Sequence, residues 1–239
     1  MTDAPETAAP GFLRRPAGGG WLALLGGGEF SFGETLEADR AWLAKAPEGA
    51  VAFVPAASGS VDYGHHFADY LEGEHGRPVE VVPIYRSRDA RRGKNCRRIA
   101  ESAAVYLGGG VTDHLLEALE GSPAAEAMLD RLRAGGVVVA IAAAAQALGR
   151  TARSIAVGGF VAGLGWLADG VVEPNFDPGH DRRLRQLLAR PEVGWGLGLP
   201  AGAALLLGPD GAVELVGTAF ALRGPDADLE VLAPTPRSA

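Results

Sequence analysis

The stretch Gly135–Gly149 limits what this chain can fold into more than any other. It begins Gly135-Gly136-Val137-Val138-Val139-Ala140-Ile141 and continues Ala142-Ala143-Ala144-Ala145-Gln146-Ala147-Leu148-Gly149. The first half is apolar, rich in β-branched residues and preceded by glycine. This is the pattern of a central strand buried on both faces, as in a parallel sheet. The second half carries four consecutive alanines, the best helix formers, and ends at a glycine stop. The chain therefore passes from strand into helix with no loop residues between. A turn this sharp is where serine hydrolases expose a nucleophile at the end of a sheet. No nucleophile is present here; an ordinary buried strand followed by an alanine-rich helix is the alternative reading of these residues.

The remaining chain supports a repeated strand–helix order. Strands are expected at Trp21–Leu25, Val51–Pro55, Val79–Ile84, Val105–Leu107 and Val171–Phe176, and helices over Glu34–Ala46, Asp62–Glu72 and Ala124–Ala134. That alternation implies an α/β fold, a three-layer αβα sandwich around a mostly parallel doubly wound sheet. The end of the chain turns β-rich. Gly196–Leu199 is one strand, and Gly208-Pro209-Asp210-Gly211 has the chemistry of a turn, making a hairpin with Ala212–Val216. Thr218–Leu222 is a further strand. Residues 1–19, rich in Ala, Pro, Gly and Thr, are expected to be a flexible leader. Residues 20–223 are expected to form one domain, and 224–239 a tail.

In such sheets ligands bind beyond the carboxy ends of the strands. Four of those ends carry distinctive loops: Gly26–Glu29, Ala56–Ser60, Gly108–Thr112 and Ala142–Ala144. This locates a cleft from sequence order alone.

Composition narrows the functional classes. The formal net charge is −7, which argues against a nucleic-acid binder with a basic footprint. The single cysteine, Cys96, excludes an internal disulfide and a cysteine-cluster metal site. No metal or cofactor is expected. The apolar runs are too short or too broken by glycine to span a bilayer, and no signal peptide is visible, so the expected setting is cytoplasmic. His65 and His66 are adjacent, diverge on a helix and lack the i, i+4 spacing of a metal pair. The arginines from Arg86 to Arg98 read first as a solvated face, with an anionic partner as the alternative.

Several motifs together resemble the dipeptidase E/cyanophycinase family of serine peptidases, which has a class I glutamine amidotransferase-like fold. The family's elbow reads Gly-Gly-Val-(apolar)-(apolar)-Gly-Thr-Ser-Ala-Gly-Ala. Matched without gaps, its serine falls on Ala142 and its flanking glycines on Ala140 and Ala144. Gly108-Gly109-Gly110-Val111-Thr112 resembles the family's glycine turn. The resemblance implies that Gly109 and Gly110, with Ala143, surround the oxyanion site, and that Gly27 and Gly28 border the cleft. Val171-Val172-Glu173-Pro174-Asn175-Phe176 resembles the strand that carries the general-base histidine, and that histidine falls on Asn175. The arginine- and leucine-rich helix after it, beginning at Arg182, fixes the register. The family's acidic segment falls on Leu199-Pro200-Ala201-Gly202, where no acid remains.

A methyl group cannot attack a carbonyl, and a carboxamide cannot cycle a proton near neutrality. The resemblance therefore implies a family member without catalysis, its cleft kept for a peptide-like or anionic small molecule or its surface for a protein partner. Ser58, Thr112, His180 and Arg182 are the candidate ligand contacts. One alternative is an active hydrolase with a relocated site, using Ser58 or Ser60 with His65, His114 or His180. Another is a structural scaffold, a homodimer for instance, whose cleft is plugged by Val111, Ile141 and Trp166. Loss of the flanking glycines suggests that the elbow at Ala142 has relaxed.

Overall fold

The apolar run does form a strand covered on both faces. The computed structural model describes residues 7–8 and 11–233. Along the chain it places β1 (Thr7–Ala8), β2 (Trp21–Leu25), α1 (Leu36–Lys45), β3 (Val51–Val54), α2 (Val61–His75) and β4 (Val79–Val81). Next come α3 (Ser87–Ala90), α4 (Gly93–Glu101), β5 (Ala104–Leu107), α5 (Thr112–Leu119), α6 (Pro123–Arg133), β6 (Val137–Ile141) and α7 (Ala143–Ala147). The last part holds β7 (Thr151–Ser154), β8 (Gly159–Ala162), β9 (Gly170–Pro174), α8 (Arg182–Leu188), β10 (Trp195–Leu199), β11 (Ala204–Leu207), β12 (Ala212–Val216), β13 (Ala219–Leu222) and β14 (Glu230–Leu232).

The main sheet has the order β1-β12-β11-β2-β6-β5-β3-β4. From β2 to β4 all pairings are parallel, and β11 and β12 add an antiparallel hairpin beyond β2. β6 thus lies between two parallel neighbours, with Val137 level with Trp21 on one side and Ala104 on the other. Its side chains alternate between two cores, as strand geometry requires. Val138 and Ala140 join Ile99, Leu115 and Met128 beneath the α3–α7 side. Val137, Val139 and Ile141 join an aromatic group of Trp42, Phe53, Phe67 and Tyr106 beneath α1 and α2. Phe67 and Tyr106 meet at 4.3 Å between ring centroids. Each such buried side chain contributes about 1.5–3 kcal/mol relative to exposure, which holds the three layers together.

Local signals fix the helix ends. Ser122 accepts the Ala125 N–H at the start of α6, with Pro123 in the first turn. Gly76 adopts φ 64° after α2, and its neighbour Arg77 donates back to Leu71 O.

The structure departs from the sequence reading in several places. A separate sheet, β14-β13-β10-β9, takes the strands expected near 171–176, 196–199 and 218–222. Gly196 and Gly198 on β10 let α8 and Phe176 approach: a Cβ on Gly196 would stand 2.8 Å from Leu184, and one on Gly198 2.5 Å from the Phe176 ring. β7 and β8 form a hairpin of their own. The strand expected to reach Ile84 ends at Val81, because Pro83 has no N–H to continue a ladder. The leader is partly engaged: Thr7–Ala8 pair with β12, and Arg15 donates to Gly208 O. The expected tail contains β14, which pairs with β13.

Candidate functional site

The four loops named from the strand order meet in one cavity of about 580 Å³. Gly27, Gly28 and Glu29 come from the end of β2, Ser58 and Ser60 from the end of β3, and Gly109 and Gly110 from the end of β5. Ile141 and Ala142 close the floor at the end of β6. The fifth contribution comes from the second sheet, as Asn175 follows β9 and Ala201 follows β10. A backbone bond joins the two sheets at this point: the Asn175 N–H donates to Gly26 O at 2.8 Å, while the Phe176 N–H, bonded to Leu199 O at 3.0 Å, ties the exit of β9 to β10 within the second sheet.

Ala142 is not relaxed. Its φ of 52° and ψ of −115° form the sharp turn between β6 and α7. For an alanine this left-handed backbone costs about 1–2 kcal/mol. The turn is held at both ends. The Ala142 N–H donates to Leu25 O at 3.0 Å, and its carbonyl accepts from Gln146 N–H at 3.1 Å. Alanine at 140 and 144 does not release the strain, because the packing of β6 between β2 and β5 and of α7 against its neighbours dictates the turn. Asn175 also has positive φ, 48°, which asparagine tolerates better than most residues. Its Oδ1 would lie 2.2 Å from a Cβ on Gly27, so its carboxamide lies directly on that glycine.

Beneath the floor runs a polar chain. Thr112 Oγ1 donates to Gln146 Oε1 at 3.2 Å and lies 3.4 Å from Ala143 O. Gln146 Nε2 donates to Glu173 Oε2 at 3.5 Å. Arg153 completes it, donating through Nε and Nη2 to both Glu173 oxygens at 3.2 and 2.8 Å. Burial pushes the Glu173 carboxyl above its ordinary range, against the opposing pull of Arg153 and Arg183. Gln146 lies four residues after Ala142, and Glu173 two before Asn175. The chain thus ties the turn at Ala142 to the strand that delivers Asn175.

Sequence reasoning placed Glu29 in a cleft loop but overlooked Glu34 and Tyr63 as parts of the wall. Glu34 Oε2 accepts the Glu29 N–H at 2.8 Å. Tyr63 stands in the first turn of α2, where an aromatic reads as core; the polar end of its ring reaches the Gly109 N–H at 3.4 Å.

The other candidates are placed elsewhere. Thr112 is buried in the polar chain, and Ala143, half-buried, does not line the cavity. His180 is exposed and pairs with Asp177 at 2.6 Å; it does not line the cavity, and neither does Arg182. His65 and His114 are exposed on α2 and α5. Ser58 Oγ donates to Pro55 O at 3.2 Å and accepts from Ser60 N–H. Among the described residues no serine makes a hydrogen bond to a histidine, so the relocated pairs are not assembled. Of the three side chains expected to plug the cleft, only Ile141 reaches its wall, while Trp166 lines a separate hollow of about 420 Å³. Among the described residues no group of three His, Cys, Asp or Glu is placed to hold a metal ion, and no helix is long and apolar enough to cross a membrane.

Solved structures share this architecture. A crystal structure of a peptidase from an acI-B1 Actinobacterium superposes with a TM-score of 0.71 at 20% identity, covering 92% of this chain and 98% of the other. A putative peptidase E protein from Listeria monocytogenes EGD-e superposes with a TM-score of 0.61 at 17% identity, covering 85% and 98%. At these identities the likeness is one of fold. No curated protein matches. The sequence model of peptidase family S51 matches residues 22–214, spanning the main sheet, the turn at Ala142 and the strand before Asn175, and the chain belongs to that family.

Proposed function

We propose that this chain is a non-catalytic member of peptidase family S51 that uses the inherited cleft to bind a peptide-like ligand. One observation carries the reading: Ala142 holds a strained strand-to-helix turn on the floor of an open cavity of about 580 Å³, with Asn175 on the same wall. A strained elbow normally presents a nucleophilic oxygen to a base. Here the presented group is a methyl, and the group at the position of the base is a carboxamide, which does not titrate near neutrality.

The open cavity favours binding over the scaffold reading, which needs the space filled. The relocated-hydrolase reading lacks its serine–histidine contact among the described residues. The lining also disfavours an anionic ligand. Among the described residues its charged side chains are Glu29 and Glu34, and no arginine, lysine or histidine joins them.

Labelling by a fluorophosphonate probe tests the proposal, together with turnover assays on peptide and ester panels. The expected result is no labelling and no turnover. Turnover that is lost on changing Ser58 or Ser60 would establish an active hydrolase instead.

A further inference from the structure

Among the described residues Tyr63, in the first turn of α2, is the one cavity-lining aromatic that carries a hydrogen-bonding group. Its ring packs edge-on against Phe53 at 5.2 Å and nearly parallel to Phe30 at 6.0 Å. Gly108 makes room for it: a Cβ there would stand 2.8 Å from Tyr63 Cε1 and 2.7 Å from Phe53 Cζ. The ring is therefore held in place by its neighbours. Its hydroxyl accepts the Gly109 N–H at 3.4 Å. Gly109 is close to the floor, since a Cβ on it would stand 3.6 Å from the Ala142 Cβ.

An amide at this point of the fold would ordinarily donate to a ligand oxygen lying over position 142. Here its proton is turned toward the phenol. The phenol oxygen has given one lone pair to that amide and keeps its own proton. Accepting one hydrogen bond polarises the O–H and makes it a better donor. Burial, with the Glu29 and Asp39 carboxylates acting in the same direction, raises the phenol's pKa above the usual tyrosine range, so the proton stays on at neutral pH.

We infer that Tyr63 is the oxygen-recognising residue of this cleft, its hydroxyl donating to an uncharged carbonyl of the ligand in place of the Gly109 amide. The inference rests on the reading of the cleft as a binding site. It specifies the ligand group, an amide or ester carbonyl, because the neighbouring Glu29 and Glu34 repel a carboxylate. The aromatic packing fixes the ring, so selectivity resides in a preset donor.

The test is a titration of the ¹⁵N-labelled chain with N-acetyl-alanine-N-methylamide, which carries neutral carbonyls only, and with acetate in parallel. The blocked amino acid is expected to shift the Gly109 amide and the Tyr63 ring resonances, and acetate is not. Tyr63→Phe keeps the ring packing, and is expected to weaken binding about tenfold, the worth of one hydrogen bond. Shifts at Ala142 and Asn175 without shifts at Gly109 and Tyr63, or undiminished binding by Tyr63→Phe, would overturn the assignment while leaving the cleft a binding site. Equal response to acetate would overturn the preference for a neutral carbonyl. Absence of any shift in the cleft would overturn this inference and ligand binding together, and turnover by the unmodified chain would overturn only the non-catalytic reading.

Discussion

Ala142 and Asn175 face one cavity with nearly equal positive φ, 52° and 48°, although they follow strands of different sheets. Neither residue is glycine, so both conformations are imposed from outside. For Ala142 the imposition comes from a carbonyl of β2 and the first turn of α7; for Asn175 it comes from Gly26 and the adjoining β10.

The strain at Ala142 predicts an inverted substitution series. Ala142→Gly removes a backbone penalty of about 1–2 kcal/mol and adds an entropic cost of about 0.5–1 kcal/mol. The net expectation is an unchanged or slightly higher melting temperature. Ala142→Val adds a β-branched side chain at positive φ and should lower the melting temperature clearly. Thermal unfolding of the two variants checks the order; a valine variant as stable as the glycine variant would show that the turn has no strain.

Gly27 gives a second prediction. Its φ of 140° disfavours any side chain, and a Cβ would meet Asn175 Oδ1 at 2.2 Å. Gly27→Ala is therefore expected to destabilise by about 1–3 kcal/mol, in the range of a forced backbone conformation, and to displace the Asn175 side chain. A double-mutant cycle with Asn175→Gly separates the two causes. Removing the carboxamide should recover the clash and leave the backbone cost.

The contrast between what was legible and what was not follows from range. The turn at Ala142 was readable because a strand signal meets a helix signal with no intervening loop, and the strand-end loops were readable because parallel order places them on one side. The hairpin of β11 and β12 announced itself through Gly208-Pro209-Asp210-Gly211, with Asp210 at φ 54° and Gly211 at φ 79°. The division into two sheets was hidden, since β9 and β10 are almost as buried as the central strands and carry no mark of a second sheet. The pairing of Arg153 with Glu173 was also hidden, because residues twenty apart in sequence give no local signal. Strain at Ala142 left no trace at all: alanine is the residue a relaxed helix start would also choose. Tyr63 was passed over because helical position alone does not tell which end of a phenol reaches a cavity.

Glu173 and Arg153 set up a pH-dependent prediction. Glu173 is buried, and its pKa in the folded chain is raised above the unfolded value. A raised carboxyl contributes stability that is complete below the unfolded value and is lost as pH rises through the folded one. Arg153→Ala removes the pull that limits this rise. The variant should lose about 3 kcal/mol at neutral pH, near the lower bound for breaking a buried pair, because the Arg153 side chain keeps 32% of its surface in water. The loss should shrink toward pH 4 as Glu173 becomes neutral. Melting curves across that range check the slope; a loss independent of pH would exclude the ionised carboxylate as its cause.

Asp113 behaves in the opposite sense. Its modest burial would raise it, but the Ser154 hydroxyl and the N–H groups of Ile155 and Ala156 outweigh that and hold the carboxyl below its ordinary range. A depressed carboxyl contributes stability above the unfolded value and loses it as pH falls through the folded one. Acid should therefore free the tip of the β7–β8 hairpin from α5 before the core melts. Hydrogen exchange at Ile155 and Ala156 is the measurement, with Asp113→Asn expected to accelerate it at neutral pH.

The preserved turn makes the strongest prediction about chemistry. If the scaffold imposes an elbow, installing the reactive groups should create reactivity without redesign. In Ala142→Ser the hydroxyl would emerge at φ near 52° above the cavity, already in the conformation a nucleophile needs. Asn175→His would place an imidazole on the strand exit that Gly26 and Leu199 hold in position. Fluorophosphonate labelling should be absent in the parent chain, weak in Ala142→Ser and faster by at least tenfold in the double variant, since a nucleophile and its base act as a unit. Asn175→His alone should stay unlabelled. Labelling of the parent at a rate equal to the double variant would show that reactivity resides at another serine, whereas a folded double variant that remains inert would show that the retained turn no longer orients an attacking oxygen.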